Sequence, residues 1–236
     1  MTTVESPEDY CRQLESYLCR KNDGHLIRIV GPAFEQVCGW ATRGIPIAVA
    51  CRGVDRYFER YYAKGPRRRP VRVEFCEPDV LDVFDEWRRA VGVPAAAVAD
   101  TARDSEATRP HSSLPAHLEK IIARLTALRA GDNRLLEDLI DPIVQELDAA
   151  RAGAKNARGE ARDRLLERLR ALEQGLLQAA RARLGAEATA AIEREAEAEL
   201  APFRERMPMD AYRRSREACI DRIVRERTRL PVLTFE

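Results

Sequence analysis

Leu165, Leu169, Leu172, Leu176 and Ala179 step by 4, 3, 4 and 3 residues, a spacing that an α-helix turns into one continuous apolar face. The run is a heptad seam of about two repeats, broadened by Leu166, Leu177 and Leu184. Two repeats suit a helical hairpin within one chain or a dimer contact equally well. The same period recurs upstream. Leu118, Ile121, Ile122, Leu125 and Leu128 form one stripe, closed by Gly131. Leu135, Leu136, Leu139, Ile143, Val144 and Leu147 form the next, with Pro142 either restarting or kinking the helix. Between Gly153 and Gly159 the chain either turns or runs on as helix. A further helix is predicted between Ala186 and Leu200, interrupted at Pro202, and a last one over 209–227. The tail from Leu230 to Phe235 is extended and apolar, and is expected to pack back on this module. Aromatics make up only 6% of the chain while Ala, Leu, Glu and Arg crowd its second half, a composition of long helices rather than sandwiches or barrels.

The first part of the chain, 7–93, reads as a compact helical domain. Ser6 as N-cap and Pro7 at the first helical position open a helix over 7–20, with Cys11, Leu14 and Leu18 on one face and Tyr10 and Tyr17 beside them. Leu26 to Val30 is a short β-branched run. Gly31-Pro32 starts a second helix with Phe34, Val37, Cys38 and Ala41 inward, stopped by Gly44. Pro46 opens a third, to about residue 63, with Ile47, Ala50, Cys51, Val54, Phe58 and Tyr61 inward. Val71, Val73 and Phe75 alternate with Arg72 and Glu74, so this stretch is a candidate strand to pair with 26–30 in a two-stranded ribbon. The fourth helix, 78–91, carries Val80, Phe84, Trp87 and Val91 inward and Asp79, Asp82, Asp85 and Glu86 outward. Trp40 and Trp87 both lie beside apolar stripes and read as core anchors. Residues 94–114, with no apolar periodicity, have the composition of a flexible linker. The expected architecture is therefore mainly α: a helical domain over 1–93, the linker, and a helical hairpin or bundle with a short coiled-coil seam over 115–236.

Charge is distributed unevenly. Nine basic side chains and two acids fall between Arg43 and Arg72, a local balance of +7 in a chain whose total is +1. Arg52, Arg56 and Arg60 stand four apart and line one side of the third helix, about 6 Å per step, close to the phosphate spacing of a nucleic-acid strand. Lys64 and the Pro-bracketed Arg67, Arg68 and Arg69 extend the patch onto a stiff loop, and Arg72 follows. Tyr57, Tyr61 and Tyr62 are interleaved and could stack on unpaired bases. These eight basic residues, Arg52 to Arg72, are the candidate phosphate contacts, with DNA favoured over RNA. The competing readings have the arginines paired internally with Asp55, Glu59 and the acidic fourth helix, or meeting an acidic face of a partner protein.

Six cysteines lie at 11, 19, 38, 51, 76 and 219 without a CxxC pair, and the three histidines are scattered. Cys11, Cys38 and Cys51 fall on or beside apolar stripes, so buried structural thiols are expected rather than a metal site or disulfides, and no cofactor is implied. No phosphate-binding loop, dinucleotide fingerprint, HExxH, GxSxG or ExxH pair is present, so no enzyme class is signalled. No apolar run approaches the ~18 residues of a membrane span and the acidic start lacks a signal-peptide core, which predicts a soluble cytoplasmic protein without membrane contact.

Trp40 followed by Gly44-Ile45-Pro46, a helix containing Val54-Asp55, and then Val80-Leu81-Asp82-Val83-Phe84-Asp85-Glu86-Trp87 closing with Gly92 resemble the DnaD-like domain of bacterial and phage replication-initiation proteins. The likeness covers about 55 residues. It implies a compact α-domain that binds DNA and primosome partners. In that family a tyrosine, an isoleucine and a tryptophan four apart mark the final helix; here Asp79, Val83 and Trp87 occupy those places. The sequence thus predicts a non-enzymatic, nucleic-acid-associated adaptor, with a role in DNA replication implied by the resemblance. The alternative is a protein-only scaffold acting through the C-terminal helices, which could also form a homodimer.

Overall fold

A computed structural model describes residues 6–63, 65, 70–94, 113–130, 136–155 and 157–235. The described residues are mainly helical, as expected, in eight helices: α1 (Pro7–Lys21), α2 (Pro32–Arg43), α3 (Ile47–Tyr62), α4 (Glu77–Val91), α5 (Leu114–Ala130), α6 (Glu137–Ala154), α7 (Glu160–Leu200) and α8 (Met209–Thr228). The punctuation residues act as their chemistry requires. The Ser6 hydroxyl accepts from the Asp9 amide at 3.2 Å and caps α1. Gly44 and Gly92 adopt left-handed φ of 79° and 70° and end α2 and α4. Helix α6 runs through the exposed Pro142 without a break. Helix α6 ends at Ala154 and α7 begins at Glu160, and α7 is interrupted at Gly185, whose φ of 80° and ψ of 167° are not helical.

The chain divides into two units, Met1–Arg103 with Glu195–Cys219, and Asp104–Arg194 with Ile220–Glu236. Where sequence periodicity drew the second module as a continuous 115–236, Glu195–Cys219 belongs with the first unit. Residues 95–112 of the expected linker lie outside the described residues.

In the first unit Leu14, Leu18, Val37, Trp40, Val49 and Val80 are fully or almost fully buried. Trp87 stacks near Phe84 and Phe203, with ring centroids 5.9 and 5.7 Å away, and its indole N–H donates to Glu199 Oε2 at 2.8 Å. The anticipated ribbon is not formed. Among the described residues there is no strand, and Val73–Cys76 winds into a 3-10 turn leading into α4. Each segment is held by α1 or its C-cap residue Asn22 instead of by the other. The Asn22 side chain accepts from the Val71 amide at 2.7 Å and donates to the Val71 carbonyl at 3.1 Å. The Ile27 and Ile29 amides donate to Cys19 Sγ at 3.3 Å and Glu15 Oε1 at 2.6 Å. With those groups satisfied, the edges of the two segments that turn toward α1 have no hydrogen bonds left to offer each other.

In the second unit Leu118, Leu125, Ile140, Leu147, Leu169 and Val224 are fully buried. The C-terminal tail packs back as the sequence suggested. Leu233 is fully buried, the Thr234 amide donates to Glu173 Oε2 at 2.9 Å, and the Thr234 carbonyl meets His117 Nε2 at 3.0 Å. Glu173 is itself buried and bridged to Arg225 at 2.5 Å, so its charge is matched where it is out of water.

Candidate functional site

The arginine row of α3 lies against α4, and a glycine sets how close the two helices come. A Cβ on Gly53 would sit 2.4 Å from the Val80 Cα, closer than real atoms approach, so only glycine permits this contact. The close approach brings the acids of α4 within reach of the arginines. Arg56 donates to both carboxylate oxygens of Glu86, at 3.3 and 2.6 Å, and Arg60 pairs with Asp79 at 2.5 Å. The hydrogen bond to Glu86 raises the Arg56 pKa further, above its ordinary value. Asp79, expected on the outer face of α4, is buried, which corrects that part of the sequence reading. Its side chain is only 7% exposed, so Arg60 is its counter-charge rather than an idle neighbour.

The remaining predicted contacts are divided. Arg52 is half-buried, with its Nε and Nη2 withdrawn from solvent. Arg72 pairs with Glu74 at 2.6 Å. Lys64, Arg67, Arg68 and Arg69 lie outside the described residues. Asp55 does not serve the arginine row: both its oxygens accept from the Tyr17 hydroxyl at 2.7 Å, and Lys21 lies 2.7 Å from Oδ1. Burial, reinforced by that hydrogen bond to an anion, pushes the Tyr17 hydroxyl well above its usual pKa. The tyrosines near the end of α3 form a cluster. Tyr57 and Tyr61 stack at 5.7 Å, Tyr61 and Tyr62 meet edge to face at 5.3 Å, and the Arg60 guanidinium lies 5.5 Å from the Tyr57 ring centre.

A different feature, which the sequence reading treated only as packing, stands out in the second unit. The heptad seam of α7 is half covered: Leu169 and Leu176 are buried, while Leu165, Leu172 and Ala179 retain exposure. Leu172 and Ala179 join Leu139 and Ile143 of α6 along an open groove of about 480 Å³. Gly175 in its floor leaves nothing within 4 Å of where a Cβ would be, so the groove is open to close approach. Glu146 and Arg168, 3.1 Å apart and exposed, place opposite charges on its lining. The signal that could have found it was the excess of small residues, Ala171, Gly175 and Ala179, at steps of four.

A second, more polar groove of about 570 Å³ between α1 and α3 is lined by Arg12, Gln13, Ser16, Tyr17, Arg20 and Cys51, among others. Burial raises the Cys51 thiol to about 11, and Cys76 to about 12, so both are protonated and weakly nucleophilic at neutral pH. Among the described residues no group of three or more His, Cys, Asp or Glu side chains could hold a metal ion. No described helix is long and apolar enough to cross a membrane. Compared with known proteins, the chain matches no family model, no curated protein and no solved structure.

Proposed function

We propose that this is a non-enzymatic interaction protein that self-associates through the α6–α7 groove and so presents two copies of its first unit. The observation that carries this reading is the half-covered heptad seam. Leu139, Ile143 and Leu172 leave apolar surface along a groove that has helical spacing on both walls. A second copy suits it because the lining is self-complementary. Under a two-fold axis the apolar wall meets its own counterpart, and Glu146 and Arg168, already bridged within each chain, bring no unmatched charge to the contact. Sedimentation equilibrium of the full chain tests it. The wild type should show a monomer–dimer equilibrium, and Gly175→Arg, which fills the groove from an exposed position, should weaken dimerisation ~100-fold or more while leaving helicity unchanged. A wild type that stays monomeric at high micromolar concentration overturns the reading.

Nucleic-acid binding is a second reading, now centred away from the helical arginines. It rests on the tyrosine cluster at the end of α3, where Tyr62 is exposed, a few residues before Arg67, Arg68 and Arg69. The likeness to DnaD-like domains would direct such binding to DNA in replication. Labelled single- and double-stranded DNA and RNA, titrated at two salt concentrations, separate the readings. Salt-dependent binding lost on changing Arg67, Arg68 and Arg69 to alanine supports it, and binding that ignores both salt and substitution removes it.

A further inference from the structure

Residues 26–30 join α1 to α2 outside any helix, and exposure and hydrogen bonding alternate along them in the manner of an extended chain. Leu26 is 83% exposed, Ile27 intermediate, Arg28 exposed, Ile29 4% and Val30 67% exposed. The hydrogen bonds alternate in step, since the amides of Ile27 and Ile29 are both taken by side chains of α1. In an extended chain, neighbouring amides point to opposite edges. The amides of Leu26, Arg28 and Val30 therefore face the other edge, and no hydrogen bond joins them to a described residue. Gly24 and Gly31, with φ of 81° and 60°, bend the chain at either end and fix the extent of the segment. What results is a strand-like segment with the amides of one edge taken and those of the other without a partner among the described residues.

We infer that this open edge takes up an extended, acidic segment of a partner protein by strand addition. Backbone pairing supplies the geometry, as an added strand needs only the alternate donors and acceptors that the edge offers. The exposed side chains supply the preference. Leu26 and Val30 offer apolar contacts on either side of Arg28, which is in no ion pair with a described residue. An acid opposite Arg28, flanked by β-branched residues, complements that face. The same charge argues against a second copy of this chain as the occupant. Antiparallel self-pairing centred on the segment would set Arg28 against Arg28, and like charges directly opposite are unfavourable. The site is independent of the groove in the second unit and of its self-association.

The test uses the full chain and a short fluorescein-labelled peptide alternating valine and threonine around a central glutamate. Two controls carry a central lysine, or N-methyl groups on the amides that would face the edge. The glutamate peptide should bind ~10-fold or more tightly than the lysine peptide. N-methylation should abolish binding, and Arg28→Glu should reverse the preference. Because Arg28 is exposed, that variant should keep the wild-type circular dichroism. In parallel, hydrogen exchange should slow at the amides of Leu26, Arg28 and Val30 when the glutamate peptide is added. Absence of binding, equal binding of all three peptides, or protection confined to other amides overturns the proposal. Protection of the same three amides that rises with protein concentration alone would assign the edge to self-pairing and overturn it as well.

Discussion

Gly53 is the residue on which the arrangement of the first unit turns, because it lets α3 rest against the backbone of α4. An added Cβ would lie 2.4 Å from Val80 Cα and 2.8 Å from Val80 N, and neither is the movable end of a side chain. Alanine in a helix is favoured over glycine by up to ~1 kcal/mol, while forcing atoms into a packed contact costs ~1–3 kcal/mol. The clash is with backbone, so the cost should win. Gly53→Ala is expected to lower the urea midpoint, followed by tryptophan fluorescence. Gly39 in α2 supplies the contrast, since a Cβ there meets nothing within 4 Å. Gly39→Ala should raise the midpoint by the equivalent of about 0.5–1 kcal/mol. If both substitutions stabilise, the close contact between α3 and α4 is not as described.

At the scale of elements, α3 and α4 show how two ion pairs alike in sequence differ in worth. Arg56 and Glu86 are both partly exposed, at 41% and 35%, so water screens the pair and its loss should cost under ~1 kcal/mol. Asp79 is only 7% exposed in its pair with Arg60, and Arg60→Ala would strand its carboxylate out of water. Arg60→Ala should therefore destabilise by about 2–3 kcal/mol, several times more than Arg56→Ala. Adding Asp79→Asn to Arg60→Ala should recover part of the loss, and a double-mutant cycle by urea denaturation would measure the coupling. Equal, small effects of the two alanine variants would show that Asp79 finds water after all. The helices themselves were readable from their ends: Ser6 and Pro7, Pro32 and Gly44, and Gly92 mark boundaries through local backbone chemistry. The ion pairs were readable only as an option, because periodicity placed Asp79 on the outer face, while in the structure it is buried and paired with Arg60, next to the residue that meets Gly53. The ribbon was misread for a related reason. Alternation at 71–75 is a strand signal, yet Asn22, 49 residues earlier, holds the Val71 backbone and the segment coils into α4.

For the whole molecule, the discontinuous first unit is the property least visible in the chain. The apolar period of 186–200 is the same whether that helix packs on its sequence neighbours or on residues more than a hundred positions earlier. The decisive contacts belong to single residues. Phe203 lies by Phe84 and Trp87, Glu199 accepts from the Trp87 indole and the Cys219 thiol, and a Cβ on Gly44 would meet Pro202 at 3.0 Å. A fragment ending at residue 94 keeps α1 to α4 but loses all of these. Sequence periodicity would make that fragment a complete domain, whereas the structure makes it a domain with one wall removed. Trp40 and Trp87, the chain's two tryptophans, both lie in the first unit, so fluorescence reports on that unit alone. The fragment should show red-shifted emission and a lower, less cooperative thermal transition than the full chain. In the full chain, Phe203→Ala should cost about 3–5 kcal/mol in the fluorescence-detected transition, as removal of a buried ring leaves a cavity. A fragment with wild-type emission and melting temperature would mean that 195–219 adds nothing to the fold of the first unit, and Phe203→Ala would then leave the tryptophan signal unmoved.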